Sequence, residues 1–242
     1  MHCFYIEPPA DGVARLPEDE AKHASKVLRL RPGDPVCAMD GDGGRWDAVI
    51  EDVDGEGVTV RLLDALPDNE APVRVTVYQG VPKAEKLDFI AQKLTELGAA
   101  ALAPVKMDRC VVKLDGKDGK KRRERLERIA FEAAKQCRRG RAVEITEPLT
   151  WRQAIQRMAY HDMVLVPWED AGGRRMKDAY TEHPDARDIG IVIGSEGGMS
   201  EDEVRALTDL GALTVTLGPR ILRTETASVV SAALAMQLWG DI

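Results

Sequence analysis

No apolar run in this 242-residue chain approaches the roughly 18 residues that a membrane-spanning helix needs, so no span is expected. The first residues, MHCFYIEPPADG, lack a basic patch followed by an apolar core, and no secretory signal is expected either. Cysteine is sparse: Cys3, Cys37, Cys110 and Cys137 stand far apart and form no CxxC pair. That leaves zinc and dithiol motifs unsupported, and isolated reduced thiols suit a cytoplasmic protein. The four histidines, His2, His23, His161 and His183, show neither HxxxH nor HExxH spacing, so no metal is expected. His23 reads as a surface or packing residue. A GxSxG nucleophile elbow is absent, as are the GxGxxG and GxxxxGK[ST] phosphate loops.

What is present is an ordinary soluble composition, 44% apolar and 31% charged, with an uneven charge distribution. The net charge of −7 argues weakly against a nucleic-acid partner. Residues 1–70 carry 16 acids against 7 bases, whereas residues 106–141 carry 14 bases against 6 acids. The local excess matters more, because attraction to phosphate is largely screened beyond about 8–10 Å.

Two kinds of patterning follow each other. In residues 35–66, PVCAMD, RWDAVIEDV and VTVRLL read as short strands separated by the turn signals DGDGG (40–44) and DGEG (54–57). EDEAKHASKVLRL before them reads as one short helix closed by RPGD. This is a small β-rich module, and PDNEAP (67–72) is the linker candidate. Beyond it strands and helices alternate. The strand-like runs are VRVTVYQGV, ALAPV, MVLVP, IGIVIG and LTVTL. Between them lie the helical patterns LDFIAQKLTELG, KKRRERLERIAFEAAKQC, WRQAIQRMA and EDEVRALTDLG. Leu87, Ile90, Ala91, Leu94 and Leu97 share one face of the first helix, with Gly98 as its cap. Leu126, Ile129, Ala130, Ala133 and Cys137 form the stripe of the second. Alternation of this kind predicts an α/β domain with a mainly parallel sheet. The last helix, SVVSAALAMQLW, is apolar on most sides, so it is buried in the domain or against a partner.

In such sheets ligands bind beyond the carboxyl ends of strands. Three strand ends carry suggestive loops: VLVPWED (164–170), IVIGSEGGMSED (191–202) and LTVTLGPRILRTET (213–226). In the second, Gly194, Gly197 and Gly198 let backbone approach a ligand, and Ser200 with Glu203 fits a capping box. Glu196 inside that loop would repel phosphate and suits a cationic or donor-rich ligand. In the third, the simplest reading is capping: Thr224 or Thr226 caps the helix, Glu225 favours its positive end, and Arg220 and Arg223 are solvated.

IGSEGGMSEDEV followed by LGPRILRTETAS closely resembles the RsmE family of small-subunit ribosomal RNA methyltransferases, of the SPOUT class. The resemblance extends to His23, Val27-Leu28-Arg29, Gly33-Asp34, the KLDFIAQKLTELG helix and EAAKQCRR. It implies a PUA-like β-barrel RNA-binding domain over residues 1–70 and a trefoil-knotted SPOUT domain over 71–242. It also implies a homodimer that uses S-adenosylmethionine to methylate N3 of one uridine in 16S ribosomal RNA. A SPOUT enzyme with another target, such as transfer RNA, is the alternative. The implied cofactor residues are Pro167, Gly194, Glu196, Gly197, Gly198, Leu217, Gly218, Ile221, Leu222, Thr226 and Ala227. Glu196 would lie near the sulfonium or the ribose hydroxyls. Arg223 and Glu225 would face the uridine, Glu225 as general base or as the group that orients Arg223. RNA contacts would come from Lys22, Lys26, Arg29 and Arg31, and from Lys120, Lys121, Arg122, Arg123, Arg138 and Arg139. The family loop commonly reads GPEGG. Ser195 stands here in place of the proline, which should loosen the loop slightly.

Overall fold

The computed structural model describes residues 1–54, 57–83, 85–112, 116–169 and 171–242, with Lys117 as backbone only. Contacts divide the chain into two compact units. The first is Met1–Glu70 with Phe131–Ala142, and the second is Ala71–Ala130 with Val143–Ile242. The boundary at Glu70 falls inside PDNEAP. Residues 131–142, placed in the second domain by the sequence, cluster with the first unit.

In the first unit, strands β1 (His2–Tyr5), β2 (Val13–Arg15), β3 (Pro35–Met39), β4 (Arg45–Val53) and β5 (Val58–Ala65) form one sheet in the order β1-β3-β4-β5-β2. Phe4, Leu16, Val36, Ala38, Ile50 and Val60 fill its core. The last three strands match the patterned runs. At the 40–44 turn, Asp40 Oδ1 accepts from the N–H groups of Asp42 and Gly44. The 54–57 turn includes Gly55 and Glu56, which lie outside the described residues. Strands β1 and β2 were not expected: β1 has only four residues shortly before Pro8-Pro9, and β2 has only three. The expected helix is α1 (Glu18–Lys22), continuing as a π-helical turn over His23–Val27.

In the second unit, β6 (Arg74–Gly80), β7 (Ala101–Lys106), β8 (Glu144–Ile145), β9 (Leu149–Thr150), β10 (Met163–Pro167), β11 (Asp188–Ile193) and β12 (Leu213–Val215) form a parallel sheet. The order is β12-β10-β11-β6-β7-β8, with β9 also paired to β7. The connecting helices are α2 (Lys86–Glu96), α3 (Gly116–Cys137, whose residues from Phe131 on cluster with the first unit), α4 (Trp151–Met158), α5 (Met176–Glu182), α6 (Glu201–Asp209) and α7 (Thr224–Trp239). Leu87, Ile90, Ala91 and Leu94 are fully buried, as the helical period required. Gly98 sits at φ +87 just past the end of α2, the left-handed position that favours glycine. Helix α5 and the two-residue strands carry too little periodic signal to be read beforehand. Among the described residues no helix is long and apolar enough to cross a membrane.

Candidate active site

Strand order places β12, β10 and β11 side by side, so the three glycine- and proline-bearing loops emerge together beyond their carboxyl ends. They enclose a cavity of about 620 Å³. That volume falls in the range of sites for small organic ligands, roughly 300–1,000 Å³. Pro167, Gly194, Glu196, Gly198, Leu217, Gly218, Ile221, Leu222, Arg223 and Ala227 all line it. Gly197, Thr226 and Glu225 do not line it. Gly197 packs its Cα on Arg109, whose guanidinium donates to the Gly197 carbonyl at 3.0 Å. Thr226 is exposed on α7. Trp168, Met199, Thr216 and Arg109 were not anticipated and line the cavity as well.

The loop after β11 is a tight reversal. The Gly198 N–H donates to the Ser195 carbonyl at 2.9 Å, and Gly198 adopts φ +72. A Cβ at Gly194 would stand 2.8 Å from the Gly198 carbonyl carbon, and one at Gly80 would stand 2.6 Å from the Ser195 nitrogen. Glycine is therefore required by close backbone approach at two of these positions and by a left-handed conformation at the third. Ser195, which stands where the family loop has proline, is buried, and its hydroxyl donates to the Arg109 carbonyl at 3.2 Å, an anchor that proline lacks. The expected capping box opens α6. The Ser200 hydroxyl accepts from the Glu203 N–H at 3.3 Å, and the Glu203 carboxylate accepts from the Ser200 N–H at 2.8 Å.

Capping does not explain the third loop. The N-cap of α7 is Arg223, whose side chain makes no cap bond. Thr224 is buried and turned inward. Its hydroxyl donates to the Gly194 carbonyl at 2.6 Å and accepts from Gln79 Nε2 at 2.8 Å. Gln79, fully buried near the end of β6, also accepts from the Ser228 hydroxyl. One amide thus ties the loop after β11 to the first turns of α7. A polar residue inside the apolar run VRVTVYQGV was the available signal for it. Gln79→Leu is expected to lower unfolding free energy by about 2–4 kcal/mol: Thr224 and Ser228 each lose a buried partner worth about 1–3 kcal/mol, and the total stays in the lower part of that sum because their hydroxyls keep the Gly194 and Thr224 carbonyls. Urea denaturation with unchanged slope would measure it.

Electrostatics correct a second expectation. Glu225 pairs with Lys86 rather than with Arg223: its carboxylate lies 3.2 Å from Lys86 Nζ, which is also 3.0 Å from Glu196. Burial alone would raise the Glu196 carboxyl. Its own N–H, the Lys83 N–H at 3.0 Å and the Lys86 ammonium outweigh that and hold it below the ordinary glutamate range. Glu196 is therefore an anion at neutral pH. Among the described residues, Arg223 enters no ion pair, and it is exposed at the cavity wall.

The basic residues divide. Lys26, Arg29, Arg31, Lys120, Lys121 and Arg138 are exposed. Lys22 is exposed but paired with Glu18 at 2.5 Å. Three assignments to RNA are not supported. Arg139 is buried against Glu70 at 2.5 Å, Arg122 lies 3.1 Å from Asp88, and Arg123 holds Glu127 and Glu147 at 2.7 Å each. The charge run on α3 is in part an internal ion-pair network.

The model of the RNA methyltransferase domain family matches residues 69–236, and that of the RNA methyltransferase PUA domain matches residues 16–63. Ribosomal RNA small subunit methyltransferase E of Bacillus subtilis is 35% identical over 94% of this chain and 93% of its own length. This chain belongs to the ribosomal RNA small subunit methyltransferase E family. The family member of Mycobacterium bovis is 36% identical over 94% of this chain and 88% of its own. Among solved structures, the family member of Neisseria gonorrhoeae, bound to S-adenosyl methionine, superposes with a TM-score of 0.90. Its identity is 30%, over 100% of this chain and 99% of that one. Family membership thus extends over both units, with a PUA-like N-terminal domain and a parallel-sheet methyltransferase domain.

Proposed function

We propose that the chain transfers a methyl group from S-adenosylmethionine to N3 of one uridine in 16S ribosomal RNA of the small subunit. The observation that carries this is the cavity at β10, β11 and β12. It has glycine-built backbone walls, apolar Leu217, Ile221 and Leu222, and an uncommitted guanidinium at Arg223. The residues fit the cofactor. Backbone donors and acceptors among apolar side chains suit adenine, and the ionised Glu196 suits either a cationic sulfur or ribose hydroxyls. When bound, S-adenosylmethionine supplies a methyl group already activated on a positive sulfur. What remains for the protein is alignment and stabilisation of the anion that uridine becomes when N3 loses its proton. Leu217, Gly218, Ile221 and Leu222 hold the cofactor, and Arg223 faces the base. Nucleoside mass spectrometry of small-subunit RNA after incubation with the methyl donor tests the reading. 3-Methyluridine is the expected product, whereas methylation confined to transfer RNA would replace this substrate with the alternative.

The reading includes a trefoil-knotted methyltransferase domain over 71–242, an RNA-binding domain over 1–70 and a cytoplasmic location. RNA backbone is bound by Lys26, Arg29, Arg31 and Arg138 and by the exposed pair Lys120 and Lys121. Replacing that pair by alanine is expected to flatten the salt dependence of RNA binding by roughly 1.4–1.8 in logarithmic slope, two phosphates' worth of released counterions. Filter binding from low to moderate salt measures it. Homodimerisation is supported by α7. Val229, Val230, Ala233, Leu234 and Leu238 are each only partly covered within the chain, while Ala232, Ala235, Met236 and Trp239 fill its core side. Sedimentation at micromolar concentration is expected to give twice the chain mass of 26.6 kDa.

A further inference from the structure

We propose that Cys3 and Cys37 form an oxidisable dithiol, a modification site for peroxide in which Cys3 is the attacking thiol and Cys37 the thiol that closes the disulfide. The site lies wholly in the first unit and is independent of the methyl transfer proposed above. The two cysteines are far apart in the sequence, yet Cys3 pairs with Cys37 in the parallel register of β1 and β3. Phe4, Val36 and Ala38 belong to the core, so strand alternation turns both thiols to the opposite face of the sheet. They meet there in a side-chain hydrogen bond. Neighbouring strands run about 4.7–4.9 Å apart, inside the roughly 4.4–6.8 Å between α-carbons that a disulfide spans. The backbone spacing therefore suits a bridge between them.

The two thiols differ in access and in charge. Cys3 is partly exposed and lines a cavity of about 270 Å³ together with His23, Gln136 and Arg138. Cys37 is buried. The hydrogen bond from Cys37 pulls the Cys3 thiol down to about 7 against the effect of burial, and the positive Arg138 and Arg45 add to it. The same contact, with burial, pushes Cys37 up, so Cys37 keeps its proton. A thiolate that peroxide can reach, beside a thiol that it cannot, is the arrangement of a sensing cysteine and its resolving partner. In the first step the Cys3 thiolate attacks one oxygen of hydrogen peroxide. An S–O bond forms, the O–O bond breaks, and hydroxide leaves to be protonated to water. In the second step the Cys37 thiol gives up its proton and attacks the Cys3 sulfur. The S–S bond forms, the S–O bond breaks, and the departing hydroxide takes that proton as water. The pair of sulfurs is oxidised by two electrons, which the peroxide gains.

The test uses the full-length protein, fully reduced and then treated with hydrogen peroxide near neutral pH. Non-reducing peptide mass spectrometry is expected to find a Cys3–Cys37 cross-link that dithiothreitol removes, in a species of single-chain mass. Cys37→Ser keeps a hydrogen-bond donor beside Cys3 but cannot close the bridge, so oxidation should stop at the sulfenic acid, trapped on Cys3 by dimedone. Cys37→Ala, measured alongside, should lose the cross-link as well, and circular dichroism of both variants guards against a folding defect. Cys3→Ser is expected to lose both the cross-link and the dimedone adduct. Cys110→Ser and Cys137→Ser should leave the cross-link unchanged, since neither sulfur takes part. Absence of the cross-link in the wild-type protein overturns the proposal. So does a bridge from Cys3 to Cys110 or Cys137, a bridge between two chains, or a dimedone adduct of Cys37→Ser on a cysteine other than Cys3.

Discussion

Gly198→Val is expected to weaken S-adenosylmethionine binding at least roughly tenfold, with the fold intact by circular dichroism. Space is not the reason: a Cβ at Gly198 would meet nothing nearer than Arg109 Nη1 at 3.9 Å. The reason is φ +72, a left-handed conformation that costs an L-residue roughly 1–2 kcal/mol, and more for a β-branched side chain. The loop would relax by leaving that conformation. It would then lose the Gly198 N–H bond to the Ser195 carbonyl and shift the backbone that lines the cavity. Since about 1.4 kcal/mol corresponds to a factor of ten in affinity, the conformational term alone reaches that size. Titration calorimetry measures it, and unchanged affinity would remove this loop from the cofactor site. Gly198→Ala should fall between the two, because it shares the φ cost without the branch.

Arg223→Ala is expected to preserve cofactor affinity, to slow single-turnover methylation at least roughly tenfold, and to recover part of the rate as pH rises. The structural cost of the change is small. Arg223 is exposed, makes no cap bond, and has φ −64 and ψ 151, which alanine adopts freely. Its effect is on the reaction. Uridine N3 becomes nucleophilic only when its proton leaves, and a guanidinium near O2 or O4 favours the resulting anion. At about 4 Å and an effective dielectric near 20, one positive charge is worth roughly 4 kcal/mol, or about 3 pKa units at the base. Partial solvation makes this an upper figure, and a tenfold loss is a conservative floor. Higher pH ionises the free base and substitutes for the missing charge, which is why the rescue is diagnostic. A wild-type rate, or a defect wholly due to lost cofactor binding without pH rescue, would exclude this role.

Family membership and these two predictions rest on segments that are informative locally. The strand runs PVCAMD, RWDAVIEDV, VRVTVYQGV and MVLVP, the buried face of α2 and the Ser200–Glu203 capping box each follow from the identity of neighbouring residues. Helical and strand periods, caps and glycine turns act over a few residues, so a sequence displays them directly. The glycine-rich loop and LGPRILRTET are informative for the same reason.

Tertiary structure decided what the side chains between those segments do. Thr224 looked like a cap and is a tie to Gln79, 145 residues away. Glu225 looked like the partner of Arg223 and belongs to Lys86. Arg122, Arg123 and Arg139 looked like RNA contacts and are held by Asp88, Glu127, Glu147 and Glu70. The pairing of β1 with β3 and the grouping of residues 131–142 with the first unit were equally hidden. Apart from the pair within α3, each depends on groups brought together from distant parts of the chain. A charge or hydroxyl carries no periodic mark of which distant partner will reach it. The sequence by itself determined the longer patterned elements, their order and the loops that make the cavity, but not β1, β2, α5 or the two-residue strands. Only packing determined which of the charges are neutralised by distant partners.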